Sequence, residues 1–436
     1  MTTHSTPTPP SASTRPPAVG PPSSRTNGWT GGQYSVWRAL LALFLAWFWT
    51  RGLLDSLANS PSAAELILHH GWFTPEPIAP GLDALQAWTL LVVEFAACAA
   101  LALGWKDRVA ALVLIVPLAW LVSNGHSLHT LVPTLIVGLL VHLALPRAPF
   151  GSVDALGRAD PAGAWSFRPW VAYAMRAVPM LLLLPMDFGR LGQRLALGPE
   201  AYAEWARIAS EAGAPVLRAL GDLAPAYLCR AANALDLLPF ALAPLALWPR
   251  AWKVLWCLLA ARAALLATLA RPEDLLGPGS VVPWLYLALV FDPAWIPARG
   301  AGVVERLYYD GACGLCQRAV RFVLAEDPEG RAFRFAPLQG ETFARELDAG
   351  TRATLPDSLV IRTSEGRVLT RSDAVVHLLA RLGGFWRVAS VVLALVPRPV
   401  RDAGYDAIAR MRKRLFGAPK ELCPLGPRHV TERFDR

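Results

Sequence analysis

The stretch Leu307-Tyr-Tyr-Asp-Gly-Ala-Cys-Gly-Leu-Cys-Gln317 constrains this chain most, because it runs an apolar strand into a helix whose first turn carries a C-x-x-C pair. A helix N-terminus offers unpaired N–H groups and the positive end of the helix dipole, and both favour the thiolate, the nucleophilic form of cysteine. Cys313 is therefore the expected attacking thiol. Cys316, one turn later on the same side, is placed to resolve a mixed disulfide or to close a ring with Cys313. Half of a zinc site, or two inert buried thiols, would use the same spacing.

The flanking pattern narrows these readings. A helix from Gly314 to Ala325 presents Leu315, Ala319, Phe322 and Val323 as one stripe, and Ala332–Ala336 alternates as a strand. Glu341–Ala349 predicts a short helix closed by Gly350. Ser358–Arg362, a turn at 363–366 and Arg367–Thr370 predict a hairpin, followed by a helix with Ser372 as N-cap and Asp373 in its first turn. The order β-α-β-α-β-β-α is that of a thioredoxin-like α/β domain. Pro356 precedes the third strand, where such folds hold a cis-proline facing the dithiol; a trans turn proline is the other reading.

Tyr309-Asp310-Gly311 with Cys313 and Cys316, Arg371-Ser-Asp-Ala374, Pro397, Arg401-Asp402 with Tyr405, Arg412, Arg414-Leu-Phe-Gly417, Cys423 and Arg433-Phe434 follow one another in order. With them, residues 303–436 resemble the DCC family of thiol-disulfide oxidoreductase-like proteins. The resemblance implies a redox domain whose signature residues are Asp310, Cys313 and Cys316, supported by Gly311, Pro356, Arg371, Ser372, Asp373 and Cys423. Asp310 is expected beside the thiols, either as proton acceptor or as a cap on the turn.

The remainder of the chain is apolar. Of 436 residues, 54% are hydrophobic and only 17% charged, with 17 tryptophans, a balance that predicts an integral membrane protein. Lys and Arg exceed Asp and Glu by 42 to 33, which reads as basic loops, since no nucleic-acid-binding motif accompanies the excess. Residues 1–28 are Ser/Thr/Pro-rich and predict a disordered tail without a signal peptide. Residues 29–297 then hold apolar runs at Tyr34–Leu54, Ala84–Gly104, Arg108–Ser123, Thr130–Leu145, Trp170–Pro185, Leu223–Trp248, Ala251–Ala270 and Ser280–Trp295. They predict a multi-pass α-helical membrane domain of about eight transmembrane helices, with 298–436 as the redox domain. Seven basic residues (Lys106, Arg108, Arg147, Arg158, Arg168, Arg250, Lys253) against two (Arg51, Arg271) in the short connections place both termini in the cytoplasm of a bacterial inner membrane.

In hydropathy, in the Gly104-Trp-Lys-Asp-Arg108 turn and in the long polar insert after the fifth run, residues 30–297 resemble the HTTM region shared with vitamin K-dependent gamma-carboxylases. Glu94, His142, Arg176, Arg230, Asp236 and Arg262 fall within the predicted spans, with Glu94–Arg262 and Arg230–Asp236 as candidate pairs lining a pocket for a quinone, a lipid headgroup or a small anion. Structural ion pairs explain the same residues. Glu200–Glu211 predicts an amphipathic helix, Ser123–His129 a loop in which His126 and His129 are solvated, and Cys98, Cys229 and Cys257 are expected to pack. Phe385–Val396 reads as core packing, with the basic helix Arg401–Arg414 near anionic headgroups.

The expected function is a membrane-anchored thiol-disulfide oxidoreductase of reductase type. It acts on an unidentified thiol or disulfide protein, needs no cofactor for the exchange, and is open to coupling with a membrane quinone. The alternative is a binding module in which Cys313, Cys316, Cys423 and His429 form a Cys3His zinc site.

Overall fold

The computed structural model describes residues 28–59, 84–123, 131–168, 170–177, 248–269, 278–356, 358–415 and 427–435. The first part is helical: α1 (Gly31–Asn59), α2 (Ala84–Leu103), α3 (Asp107–Ser123), α4 (Leu131–Ala144), α5 (Pro249–Leu269) and α6 (Pro278–Val290). The helices coincide with the apolar runs of the sequence, but their role differs from the expected one. Among the described residues, no helix is long and apolar enough to cross a membrane.

Lengths and charges give the reason. The 14 residues of α4 rise about 21 Å against a hydrocarbon core of roughly 30 Å. The 13 of α6 and the 17 of α3 are shorter than a span and contain Pro283 and Pro117. The longer α1 and α5 interrupt their apolar faces with Arg38 and Arg51, and with Arg250, Lys253 and Arg262. The eight-span membrane domain and the multi-pass inner-membrane location are corrected accordingly. Arg108 and Arg158, counted as loop charges, instead donate to the carbonyls of Leu145 and Ala148.

Apolar side chains of these helices pack on one another: Leu41, Leu45, Leu101, Leu114 and Leu118 are all buried. A polar cluster crosses this core. The Arg38 guanidinium bonds Asp107 at 3.1 Å, and the Tyr34 hydroxyl meets His142 Nδ1 at 2.8 Å. Burial works against the Asp107 carboxylate, but the His142 hydrogen bond and the Arg38 charge hold it below the usual range. The helices' outer faces also carry exposed apolar residues, among them Leu43, Val92 and Val116.

The second part is built on a four-stranded sheet ordered β2-β1-β3-β4. Its elements are β1 (Glu305–Tyr309), α7 (Gly314–Glu326), β2 (Phe333–Pro337), α8 (Glu341–Glu346), α9 (Ala349–Thr354), β3 (Val360–Arg362), β4 (Val368–Thr370), α10 (Arg371–Leu382), α11 (Gly384–Leu395), α12 (Arg398–Leu415) and α13 (Arg428–Thr431). β1 pairs in parallel with β2 and antiparallel with β3, which pairs antiparallel with β4. Strand alternation sorts the two faces. Leu307, Phe333, Phe335 and Ile361 share a core with Val320 and Val323 of α7 and Leu378 of α10. Tyr308, Ala336 and Val360 share another with Phe343 of α8.

The expected helix at 341–349 is two helices. Asp348 restarts the chain as the N-cap of α9, accepting the N–H of Thr351 at 2.9 Å, so Gly350 lies inside a helix and does not close one. α11 departs from the core-packing expectation too. Its inner side is held by Ser390, which donates to the Val376 carbonyl, while Val388, Val391, Val392 and Leu395 are exposed.

The two parts meet at Glu326, the last residue of α7. Its buried carboxylate accepts from the Gly32 N–H at 2.8 Å, from the Trp386 indole at 2.5 Å and from the Thr30 hydroxyl. It thereby neutralises the N-terminus of α1. Phe322 of α7 packs on Trp386 and Phe150, and Trp29 on Phe385. Glu326→Ala is expected to cost about 2–4 kcal/mol, because it strips a charge-assisted acceptor from buried donors. Thermal unfolding checks this, and an unchanged midpoint would show that the contact carries no weight.

Candidate functional site

The dithiol sits where β1 gives way to α7. Cys313 is the N-cap residue of α7, in extended conformation, and its sulfur accepts the Cys316 N–H at 3.4 Å. One of the unpaired donors of the helix N-terminus is thus aimed at sulfur. Cys313 and Cys316 are 8% and 7% exposed, lie in the core formed with Leu307, Tyr309 and Leu359, and are not joined in a disulfide.

Asp310 shapes the approach to the helix. Its Oδ1 accepts the Ala312 N–H at 3.0 Å and the Gln339 side-chain amide at 3.1 Å, and its carbonyl accepts the Cys313 N–H. This is an Asx-type turn. The residue is half-buried, less enclosed than expected. Gly311 is buried, and its carbonyl faces the Gln317 amide at 3.5 Å. Pro356 is half-buried ahead of Ser358 and Leu359, and the described residues contain no cis peptide bond.

The Arg371-Ser-Asp run does something other than cap its own helix. Ser372 is the second residue of α10, and both its N–H and its hydroxyl donate to Asp402 of α12, at 3.3 and 2.5 Å. Hydrogen bonding from Ser372 holds the Asp402 carboxyl below the usual carboxylate range, helped by Arg398 and Arg371. Asp373 in turn binds Arg401 at 3.0 Å and Arg398 at 3.0 Å. Tyr405 accepts the Leu359 N–H at 3.0 Å. Arg371 adopts φ +51°, unusual for a residue with a side chain, at the point where β4 turns into α10. The distant sequence motifs are thus one clasp binding α12 to the loop before β3, next to the dithiol core.

Sequence reasoning missed a second clasp. Phe335, in the middle of β2, donates its N–H to Arg433 and accepts from Asp435, and the Arg433 guanidinium binds Asp327 at 2.9 Å over the Phe335 ring. The Arg433-Phe434 motif signalled this, without showing what it touched. On the edge facing α10, His377 and Arg381 flank the Glu305 carboxylate; burial raises Glu305, but both partners bring it below its usual range.

The remaining predicted residues do not converge on the dithiol. Arg176 lies over the rings of Trp252 and Tyr173 in the helical part, its charge penalised by burial. Burial alone pushes the Glu94 carboxyl up to about 8, and burial with Glu94 nearby pushes the Cys98 thiol to about 12. A cavity of about 10 Å³ is walled by Trp37, Leu41, Gly138, Met175, Tyr286 and Leu289, without Glu94, Arg176 or Arg262 in its lining. Arg230, Asp236, Cys229, Cys423, His126, His129, the 200–211 helix and residues 1–27 lie outside the described residues. Among the described residues no group of three or more metal-ligating side chains gathers, and His429, from the alternative zinc set, faces Asp160 at 3.5 Å.

The part of the chain that carries the dithiol and the clasp is similar to known proteins. The DCC1-like thiol-disulfide oxidoreductase profile matches residues 307–418. The uncharacterized protein YuxK of Bacillus subtilis is 38% identical over 129 residues, which are 29% of this chain and 91% of that protein. A chloroplastic DCC family protein of Arabidopsis thaliana is 31% identical over 111 residues, 26% of this chain and 64% of its own. The chain belongs to the DCC1-like thiol-disulfide oxidoreductase family. No solved structure matches it.

Ser372→Ala should loosen α12 from α10, raising amide exchange at Leu359 and lowering stability by about 1–2 kcal/mol. Exchange at Leu359 equal to wild type would disprove the clasp. Glu94 makes a pH prediction. Burial raises its carboxyl above the ordinary glutamate value, to about 8, so the folded state holds the extra proton and stability falls as pH rises from about 4.5 to about 8. Glu94→Gln should remove this loss, so that variant and wild type diverge by roughly 4 kcal/mol at pH 8 and converge near pH 4. Parallel unfolding curves across that range would refute it.

Proposed function

We propose that this protein carries out dithiol–disulfide exchange, reducing disulfides in a partner protein. The observation that supports this is the Cys313 sulfur at the N-cap of α7, accepting the Cys316 N–H. A thiolate there is stabilised by a backbone donor and by the helix dipole without needing a basic side chain.

The Cys313 thiolate attacks one sulfur of the partner's disulfide. The S–S bond breaks, the first partner thiolate leaves and takes a proton from water, and a Cys313–partner mixed disulfide forms. Cys316 loses its proton and attacks the Cys313 sulfur, the second partner thiolate leaves, and a Cys313–Cys316 disulfide remains. The partner has gained two electrons and the protein has lost two; an external dithiol returns them by the reverse exchange. Sulfur alone carries the electrons. Asp310 fixes the turn that presents Cys313, and Leu359, held by Tyr405, forms part of the apolar wall beside the thiols.

Cys313→Ser should abolish reduction of a model protein disulfide by the full chain, by at least about a hundredfold. Cys316→Ser should still attack but fail to resolve, accumulating a mixed disulfide visible on a non-reducing gel. If Cys313→Ser retains the activity, or Cys316→Ser traps nothing while wild type turns over, the assignment is wrong.

A further inference from the structure

We propose that the outer face of α11, with the adjoining α12, is a docking surface for an anionic lipid headgroup layer. It is independent of the exchange chemistry. Val388, Val391, Val392 and Leu395 recur at i, i+3, i+4 and i+7, so they form one stripe along α11, and Leu395 is 79% exposed. The stripe runs on through Val396 and Val400 into Ile408 and Met411 of α12, all exposed. The opposite side of α11 is anchored by Ser390 on Val376 and by Trp386 on Glu326, so the apolar side is fixed facing outward.

Charge selects the occupant. α12 carries six basic residues and two acidic ones. Both acids are engaged toward α10, Asp402 by Ser372 and Asp406 by Arg371, and Arg398 and Arg401 are occupied by Asp373. The other basic residues of the helix, Arg410, Arg412, Lys413 and Arg414, gather in the sequence of its far end, where Arg410 is exposed and donates to the Asp406 carbonyl. An aliphatic stripe on an exposed helix face, without an aromatic anchor, next to a basic cluster fits the headgroup boundary, where branched aliphatic chains enter and cations pair with anionic lipids. A second copy on this face would oppose like clusters of positive charge.

Flotation of the full chain tests this, with vesicles of phosphatidylcholine and phosphatidylglycerol against phosphatidylcholine alone. The wild type should float with the anionic vesicles, and high salt should release it. Val391→Ser with Leu395→Ser, and separately Arg410, Arg412, Lys413 and Arg414 all →Gln, should each weaken flotation at least about tenfold. Neither should change disulfide reduction in solution, because neither set belongs to the exchange site. The proposal is overturned if the wild type does not float, if either variant floats as well as wild type, or if the wild type dimerises and the serine variant does not, which would assign the face to a second copy.

Discussion

A buried carboxylate that accepts from three separate segments organises the contact between the two parts of this protein. Glu326 ends the helix that begins at the dithiol, and its oxygens receive Gly32, Thr30 and Trp386. Charge-assisted hydrogen bonds in a dehydrated setting are directional, so three donors from separate segments fix α7, α1 and α11 in one arrangement. Both ends of α7 therefore work through backbone polarity. At its start the helix directs an N–H at sulfur, and at its end it supplies the acid that caps another helix.

The motifs spaced along the C-terminal part of the sequence acquire a physical sense from the two clasps. Asp402 serves as the N-terminal acceptor for α10 although it belongs to α12, and Tyr405 reaches the backbone beside the dithiol core. Residues that look like a dispersed catalytic signature thus hold the frame around the two cysteines. Arg371 at positive φ is the cost of turning β4 directly into α10 with the clasp in place.

Much of the redox domain was legible in the sequence because its cues are local. Strand alternation, the helix stripe after Cys316 and the hairpin at 363–366 all express the periodicity of a single element. The α8–α9 break was missed because the choice between continuing a helix and restarting it at Asp348 rests on one side-chain cap. Ser372 was misplaced because its acceptor lies 30 residues away in α12. Glu326 gave no signal at all, since a glutamate at a helix end usually faces water. In the helical part, hydropathy located the helices that fall among the described residues but not their surroundings; residues 178–185 and 223–247 of the apolar runs lie outside them. An apolar helix packed in a bundle and one that crosses a bilayer share composition and differ in length and in where charge is tolerated, and Arg38 with Asp107 shows charge tolerated within the bundle.

The second clasp also determines how another chain can engage the domain. Many proteins that handle peptides capture them by adding a strand to an open sheet edge. Here both backbone groups of Phe335 are already taken by Arg433 and Asp435, so the middle of β2 offers an arriving strand nothing to pair with. Strand addition is thereby blocked at the centre of this edge, which leaves β4, at the other end of the four-stranded sheet, as the edge an arriving strand could join.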